Sequence, residues 1–268
     1  MGKIIAIWSD VKKSGKSVIT YMLAKKIREM SQKDLKILVC CLNFKYSSLY
    51  KLLGINTGDT GLEDLVNYQF YQNCNSGLLT DIIPVNAGIY FLGSYRSTNS
   101  YVQKNSEKFS KLLDELKDSF DIIIVDTVSG KENTLTNMVL QKAQIILKLF
   151  VQDNESITHL NSIGEEPTPY DQETIYMVSK YRNIYPKLSD IKRRYSLKKV
   201  YTMEYCETLQ EMKNRDSLHL YLQRETNCND SIRQVSQHIL ETLGLLPEGI
   251  KEKPVRYVKS LIEAFYKI

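Results

Sequence analysis

Short apolar runs alternate along the chain with stretches whose apolar positions recur every three or four residues. Lys3–Ser9, Ile37–Leu42, Ile89–Leu92, Asp121–Val125, Ile145–Val151, Thr174–Ser179 and Val200–Met203 read as strands. Ile37–Leu42 is apolar throughout, as a strand covered on both faces must be. Between the runs, Ser17–Met30 places Val18, Met22, Leu23 and Ile27 on one helical face and Lys25, Lys26, Arg28 and Glu29 mostly on the other. Ser106–Lys117 is a helix with Phe109, Leu112, Leu113 and Leu116 in register. Further helices are expected at Tyr46–Leu53, Gly61–Tyr68, Thr134–Lys142, Leu209–Lys213, Asp230–Leu243 and Val255–Tyr266. Gly58–Gly61 reads as a turn or cap, Gly164–Asp171 as a loop, and Pro247 with Gly249 as a break before the last helix.

Strands spaced by helices imply right-handed crossovers. The expected fold is α/β, a mostly parallel twisted sheet with helices on both faces in a three-layer sandwich. No Gly/Ser/Pro-rich linker and no internal repeat divides the chain. Residues 1–268 are therefore expected to form one domain, with the helix at 255–266 packed on it or appended to it.

Composition narrows this picture. With 268 residues, 43% of them hydrophobic, the chain can bury a real core, and 12 Gly and 6 Pro are too few for a disordered or collagen-like chain. A formal charge of +5 permits an anionic partner without requiring one. The cysteines Cys40, Cys41, Cys74, Cys206 and Cys228 have no CxxC spacing, which argues against a structural zinc site and a disulfide framework. Cys40 and Cys41, inside an apolar strand, should be buried and inert. His159, His219 and His238 lack spaced metal-ligating partners, and there is no GxSxG nucleophile elbow. No apolar run reaches the roughly 18 residues of a membrane span, and the first is too short for a signal peptide. A soluble, cytoplasmic protein is expected.

The candidate chemistry follows the first strand. Asp10-Val11-Lys12-Lys13-Ser14-Gly15-Lys16-Ser17 runs into a helix, the strand–turn–helix context of a phosphate-binding loop ending in Gly-Lys-Ser. Backbone N–H groups from Lys13 to Val18, through Ser14, Gly15, Lys16 and Ser17, would face the phosphates, aided by the helix N-terminus. Lys16 would reach the β/γ-phosphates of ATP or ADP, and Ser17 would ligate Mg²⁺. Asp10 stands where the motif has its first glycine and brings a negative charge towards the phosphates. Downstream, Phe120–Thr127 is an apolar strand ending in Asp126, suited to hold Mg²⁺ directly or through water.

These segments resemble the ParA/MinD family of deviant Walker ATPases, almost from end to end. Met1–Ser17 resembles the family's opening strand and xKGGxGKT loop, Lys36–Asn43 its second strand ending in D-x-D, and Phe120–Gly130 its F-D-hhhh-D-T-P-x-G segment. Ala143–Val151, Asp153–Leu160, Ile175–Tyr181 and Tyr205–Leu222 resemble later elements. The departures are specific. The family's signature lysine aligns with Val11 and its two glycines with Lys12 and Lys13, so that Lys12 is the candidate replacement. The D-x-D aligns with Cys41-Leu42-Asn43, the adenine-reading Asn with Ser179, and a loop proline with Val128. Asn43 can orient a water but cannot take its proton.

The resemblance implies an ATP-bound homodimer acting as a switch or spatial organiser in partition, pilus or other assembly positioning, with weak or absent hydrolysis. Eroded motifs of this kind are similar to those of the atypical TadZ/CpaE-like branch. It also implies a protein partner in a positioning, secretion or pilus system, with DNA or a membrane surface as further candidates. The five basic residues in Ile191–Lys199 read either as a phosphate-contacting surface or as a solvated face. The apolar stripe of Val255–Ile268 reads either as a membrane-binding helix or as a helix packed on the domain. A pseudo-ATPase scaffold that binds a protein partner with little nucleotide is the alternative.

Overall fold

In the computed structural model, Lys3–Trp8 forms the central strand β1, buried at every position after Lys3. The residues described are 1–246, without 32–33, 44–48, 50–60, 72–82, 84, 87, 95–96, 161–171, 216 and 219–226. The other strands are β2 (Ile37–Cys41), β3 (Val85–Asn86), β4 (Ile89–Gly93), β5 (Ile122–Asp126), β6 (Ile145–Phe150), β7 (Glu173–Tyr181) and β8 (Val200–Glu204). They join one sheet in the order β3-β4-β2-β5-β1-β6-β7-β8. All neighbours pair in parallel except the two-residue β3, which lies antiparallel to β4 at the edge.

Alternate residues of the central strands feed two cores. Ile5, Ile7, Val39, Ile124, Leu147 and Met177 point to the face covered by helix α1 (Lys16–Met30) and the helix Asn227–Thr242. Ile4, Ala6, Trp8, Leu38, Ile123 and Val125 point to the other face. That face is covered by α2 (Leu62–Tyr71), α3 (Asn99–Lys104), α4 (Ser106–Ser119) and α5 (Thr134–Lys142). Further along it, α6 (Asn154–Thr158) and α7 (Leu188–Arg194) cover β7 and β8 around Phe150, Ile157, Val178 and Ile191. Among the described residues, the remaining helices are α8 (Glu207–Asn214) and α9 (Asn227–Thr242). Burying each Ile or Leu of this kind stabilises the fold by roughly 1.5–3 kcal/mol, which explains why apolar runs on both faces become central strands.

The chain leaves β1 through α1 towards β2 on one side, whereas β6 leads to β7 on the other. Connections therefore diverge at the carboxyl ends of β1 and β6, the position where open α/β sheets hold ligands. At the opposite end of β1, Gly2 donates its N–H to the carbonyl of Lys117 over 2.6 Å, and a Cβ there would lie 1.9 Å from the carbonyl oxygen of Phe120.

The structure adds four elements that hydropathy did not indicate. β3 has only two residues, α3 buries only Val102, α6 only Ser156 and Ile157, and α7 only Ile191, so none carries a legible apolar period. The segment at 46–53 apart from Leu49, positions 58–60 of the turn, the loop at 164–171, Pro247, Gly249 and the helix at 255–266 lie outside the described residues. Among the described residues, no helix is long and apolar enough to cross a membrane.

Candidate phosphate-binding site

The loop after β1 is shaped by two left-handed residues, Lys13 at φ 60° and Gly15 at φ 84°. Gly15 adopts that conformation without strain, whereas Lys13 needs support from its surroundings. Helix α1 then starts, with Ile19 N–H bonded to Gly15 O over 3.0 Å. Its first turn has no acidic residue and its N-cap contributes no side-chain hydrogen bond. The first N–H groups and the positive end of the helix dipole are thus left for an anion.

Two side chains of that first turn reach across to the end of β5. Lys16 Nζ donates to Ser129 Oγ over 2.5 Å, and Ser17 Oγ donates to Asp126 Oδ2 over 2.6 Å. Asp126 also accepts from Cys41 Sγ at 3.8 Å, because Cys41 and Asp126 are register partners in β2 and β5. Burial pushes the Asp126 carboxyl up to about 6, against the opposing pull of the Ser17 hydrogen bond and the Lys16 ammonium. Burial likewise lowers the pKa of Lys16, with Asp126 and Cys41 working the other way. A buried carboxylate beside a hydroxyl and an ammonium is a donor set suited to a hard divalent cation and a phosphate. Asn43, half-buried, follows β2 two residues beyond Cys41, and Leu42 N–H bonds to Asp126 O over 3.0 Å.

The loop backbone is held from several sides. Ser129 Oγ donates to Val11 O over 3.0 Å, and Gly130 N–H to Ser9 O over 3.1 Å. From β7, Ser179 Oγ donates to Ser14 O and Lys180 Nζ to Lys13 O, each over 2.7 Å. Ser179 is completely buried and its hydroxyl hydrogen is taken by the loop. It therefore supports the loop after β1 from beneath. Lys12 and Lys13 are exposed, Ser14 and Val18 are buried, and Gly15, Lys16 and Ser17 are partly open. Beside the loop an open depression is lined by Gly15, Val18, Lys180, Met203, Tyr205 and Leu209.

Asp10 does not lie loose at the loop. Its carboxylate sits 2.8 Å from Lys148 Nζ, and Lys148 is only 1% exposed. Burial lowers the pKa of Lys148, while the Asp10 carboxylate beside it opposes the shift. Sequence reasoning missed Lys148 and Ser129. The signal for the first was a lone lysine inside the apolar run Ile145–Phe150, and for the second a hydroxyl three residues after Asp126.

No family model matches the sequence, and no curated protein matches it. Solved structures do match in fold. A ParA family ATPase from Chlorobium tepidum TLS superposes with a TM-score of 0.74 at 14% identity, covering 89% of this chain and 98% of the other. The septum site-determining protein MinD from Pyrococcus horikoshii OT3, complexed with Mg-ADP, gives 0.73 at 14% identity, covering 92% and 100%. A Cyanothece McdA variant in complex with ATP gives 0.64 at 15% identity, covering 91% and 97%. The chain thus has the P-loop α/β fold of the ParA and MinD ATPases.

Proposed function

We propose that this chain binds ATP or ADP at residues 12–18, with Mg²⁺ at Ser17 and Asp126, and that the nucleotide state switches it between a monomer and a homodimer that positions a partner assembly. The observation that carries the reading is the joint placement of Lys16, Ser17 and Asp126 at one helix N-terminus. It is supported by neighbours of the same fold that hold Mg-ADP or ATP. In this reading Mg²⁺ supplies charge neutralisation at the phosphates. The rest falls to the chain's own groups: the N–H groups of Lys13 to Val18 bind, Lys16 pairs with phosphate charge, and Ser17 with Asp126 positions the cation.

Hydrolysis is expected to be slow. Asn43 stands where the resemblance puts the water-directing carboxylate, and an amide orients a water without accepting its proton. Val11 leaves the trans-acting lysine unfilled and Lys12, exposed at the loop, is the nearest substitute. The partner surface includes the exposed cations Arg194, at the end of α7, and Lys198 and Lys199 after it, which suit DNA or an anionic membrane as well as an acidic protein. The positioning role and the cytoplasmic location belong to this reading.

Titration of ATP with and without Mg²⁺, beside Lys16→Ala, tests it. Magnesium-dependent binding that Lys16→Ala abolishes supports the switch. Equal and negligible binding by both proteins would leave the scaffold reading, which Asp10, Lys12 and Lys13 in place of loop glycines favour.

A further inference from the structure

Lys148 sits in the middle of β6, in register with Trp8 of β1. Its neighbours Leu147 and Leu149 point to the face that carries α1, so Lys148 lies on the opposite face, beside Trp8. There its ammonium lies 2.8 Å from Asp10 Oδ2, 3.3 Å from the carbonyl of His159, and 4.8 Å from the centre of the Trp8 ring. Lys148 is shielded from solvent, and a buried ammonium without a carboxylate would be strongly unfavourable. The partner it has is the residue that replaces the first glycine of the phosphate-loop motif.

A glycine at that position lets the chain turn sharply out of β1. Asp10 has a side chain there, and Lys148 draws the carboxylate away from the face where α1 begins. The flanking residues are fastened in the same neighbourhood: Ser9 O by Gly130 N–H, Val11 N–H by Ser9 Oγ at 3.3 Å, and Val11 O by Ser129 Oγ. We propose that Lys148 is a positioning residue for the phosphate loop, fixing the loop's entry through a buried ion pair with Asp10 in place of the glycine turn. The charge of Asp10 is thereby neutralised within the protein and does not oppose phosphate. The affinity consequence rests on the nucleotide-binding reading above; the loop's order does not.

The test combines Mg²⁺-ATP titration calorimetry with amide hydrogen exchange of the nucleotide-free protein, on Lys148→Met, Asp10→Gly and the double variant. Lys148→Met strands a carboxylate at the loop entry and is expected to weaken ATP binding about tenfold or more. It is also expected to speed exchange at residues 10–16 while leaving α9 unchanged. The double variant, which restores glycine and removes both charges, is expected to recover affinity to within about threefold of the parent. Parent-like affinity and exchange in Lys148→Met would overturn the proposal. So would a double variant as impaired as Lys148→Met, because Lys148 would then act by packing alone. If Lys148→Met does not fold, Asp10→Asn keeps the shape and removes the charge: faster exchange at 10–16 supports the pair and unchanged exchange overturns it. Should the parent protein bind no ATP, the functional reading fails, and the exchange measurements still decide the role of Lys148.

Discussion

Ser17 Oγ and Asp126 Oδ2 lie 2.6 Å apart, tying the first turn of α1 to the end of β5 through the two oxygens that a Mg²⁺ ion would share. The Asp126 carboxyl is held at about 6 in the fold against an ordinary 3.8. Between those values the native state binds more protons than the unfolded chain, so stability falls as pH rises from about 4 to about 6 and stays lower above. Holding the carboxyl that far above its ordinary value corresponds to roughly 3 kcal/mol. Asp126→Asn should therefore flatten that part of the profile and raise the melting temperature of nucleotide-free protein at pH 7.5, while removing the Mg²⁺ dependence of nucleotide binding. Thermal melts from pH 4 to pH 8 check the first effect and titrations with and without Mg²⁺ the second.

Lys16 should separate binding from stability. Its ammonium is desolvated and rests on the Ser129 hydroxyl, a neutral partner. Truncation to Ala removes a buried charge from the folded protein but also its pull on Asp126, so the net change in stability is expected to stay within about 1 kcal/mol. Nucleotide affinity should fall by at least about tenfold, since a charge-assisted contact to phosphate is worth about 1.5–3 kcal/mol. Melting curves beside ATP titrations of Lys16→Ala measure both; a large stability loss with unchanged affinity would contradict the assignment.

Much of this architecture was legible in the residues. Ile122–Val125 and Ile37–Cys41 are apolar on both faces and short, the pattern of a strand covered from both sides. Gly15-Lys16-Ser17 and Asp126 could be placed at the ends of β1 and β5 because position after a strand is what local pattern reveals. What stayed hidden depends on partners far apart in the chain. Asp10 looked like an intrusion of charge because nothing near it in sequence shows that Lys148 neutralises it across the sheet. Ser179 looked like a base-reading group, whereas the tertiary fold places its hydroxyl under Ser14. α3, with one buried side chain and a Thr98 cap that accepts from Tyr101 N–H, is set by capping and neighbours rather than by amphipathicity.

The hydroxyl of Ser179 yields a further prediction. Ser179→Ala leaves the carbonyl of Ser14 without its donor in a fully buried place. The expected loss of stability is about 1–3 kcal/mol, the cost of a buried acceptor left unpaired. The loop should also loosen, with ATP affinity falling a fewfold. Denaturant unfolding and ATP titration of the variant are the measurements, and a variant as stable as the parent would show that the hydroxyl carries no support.

Gly2→Ala probes the other end of β1. The added Cβ would come within 1.9 Å of the Phe120 carbonyl and 2.8 Å of the Lys117 carbonyl, both of them backbone atoms that cannot simply rotate away. A shift of the strand or of the end of α4 must follow, at a cost of about 1–3 kcal/mol. The site lies at the far end of β1, so nucleotide affinity of the folded fraction should be unchanged. A melting temperature equal to that of the parent would show that the approach of Gly2 to Phe120 is looser in solution.

Asn43→Asp tests the chemistry assigned to the end of β2. Cys41 pairs in register with Asp126, and Asn43 follows two residues later on the same strand end. An amide there can hold a water by donating and accepting, but it cannot take the proton that an attacking water must lose. A carboxylate can, and general base catalysis is typically worth about 100-fold or more. Asn43→Asp should therefore raise ATP turnover by at least about tenfold over the parent, allowing for imperfect geometry, with little change in KM. Phosphate release under saturating Mg²⁺-ATP measures this, with Asn43→Ala as the reference that removes both orientation and any proton acceptance. If Asn43→Asp and Asn43→Ala turn over ATP at the same rate, the residue does not reach the attacking water and the assignment fails.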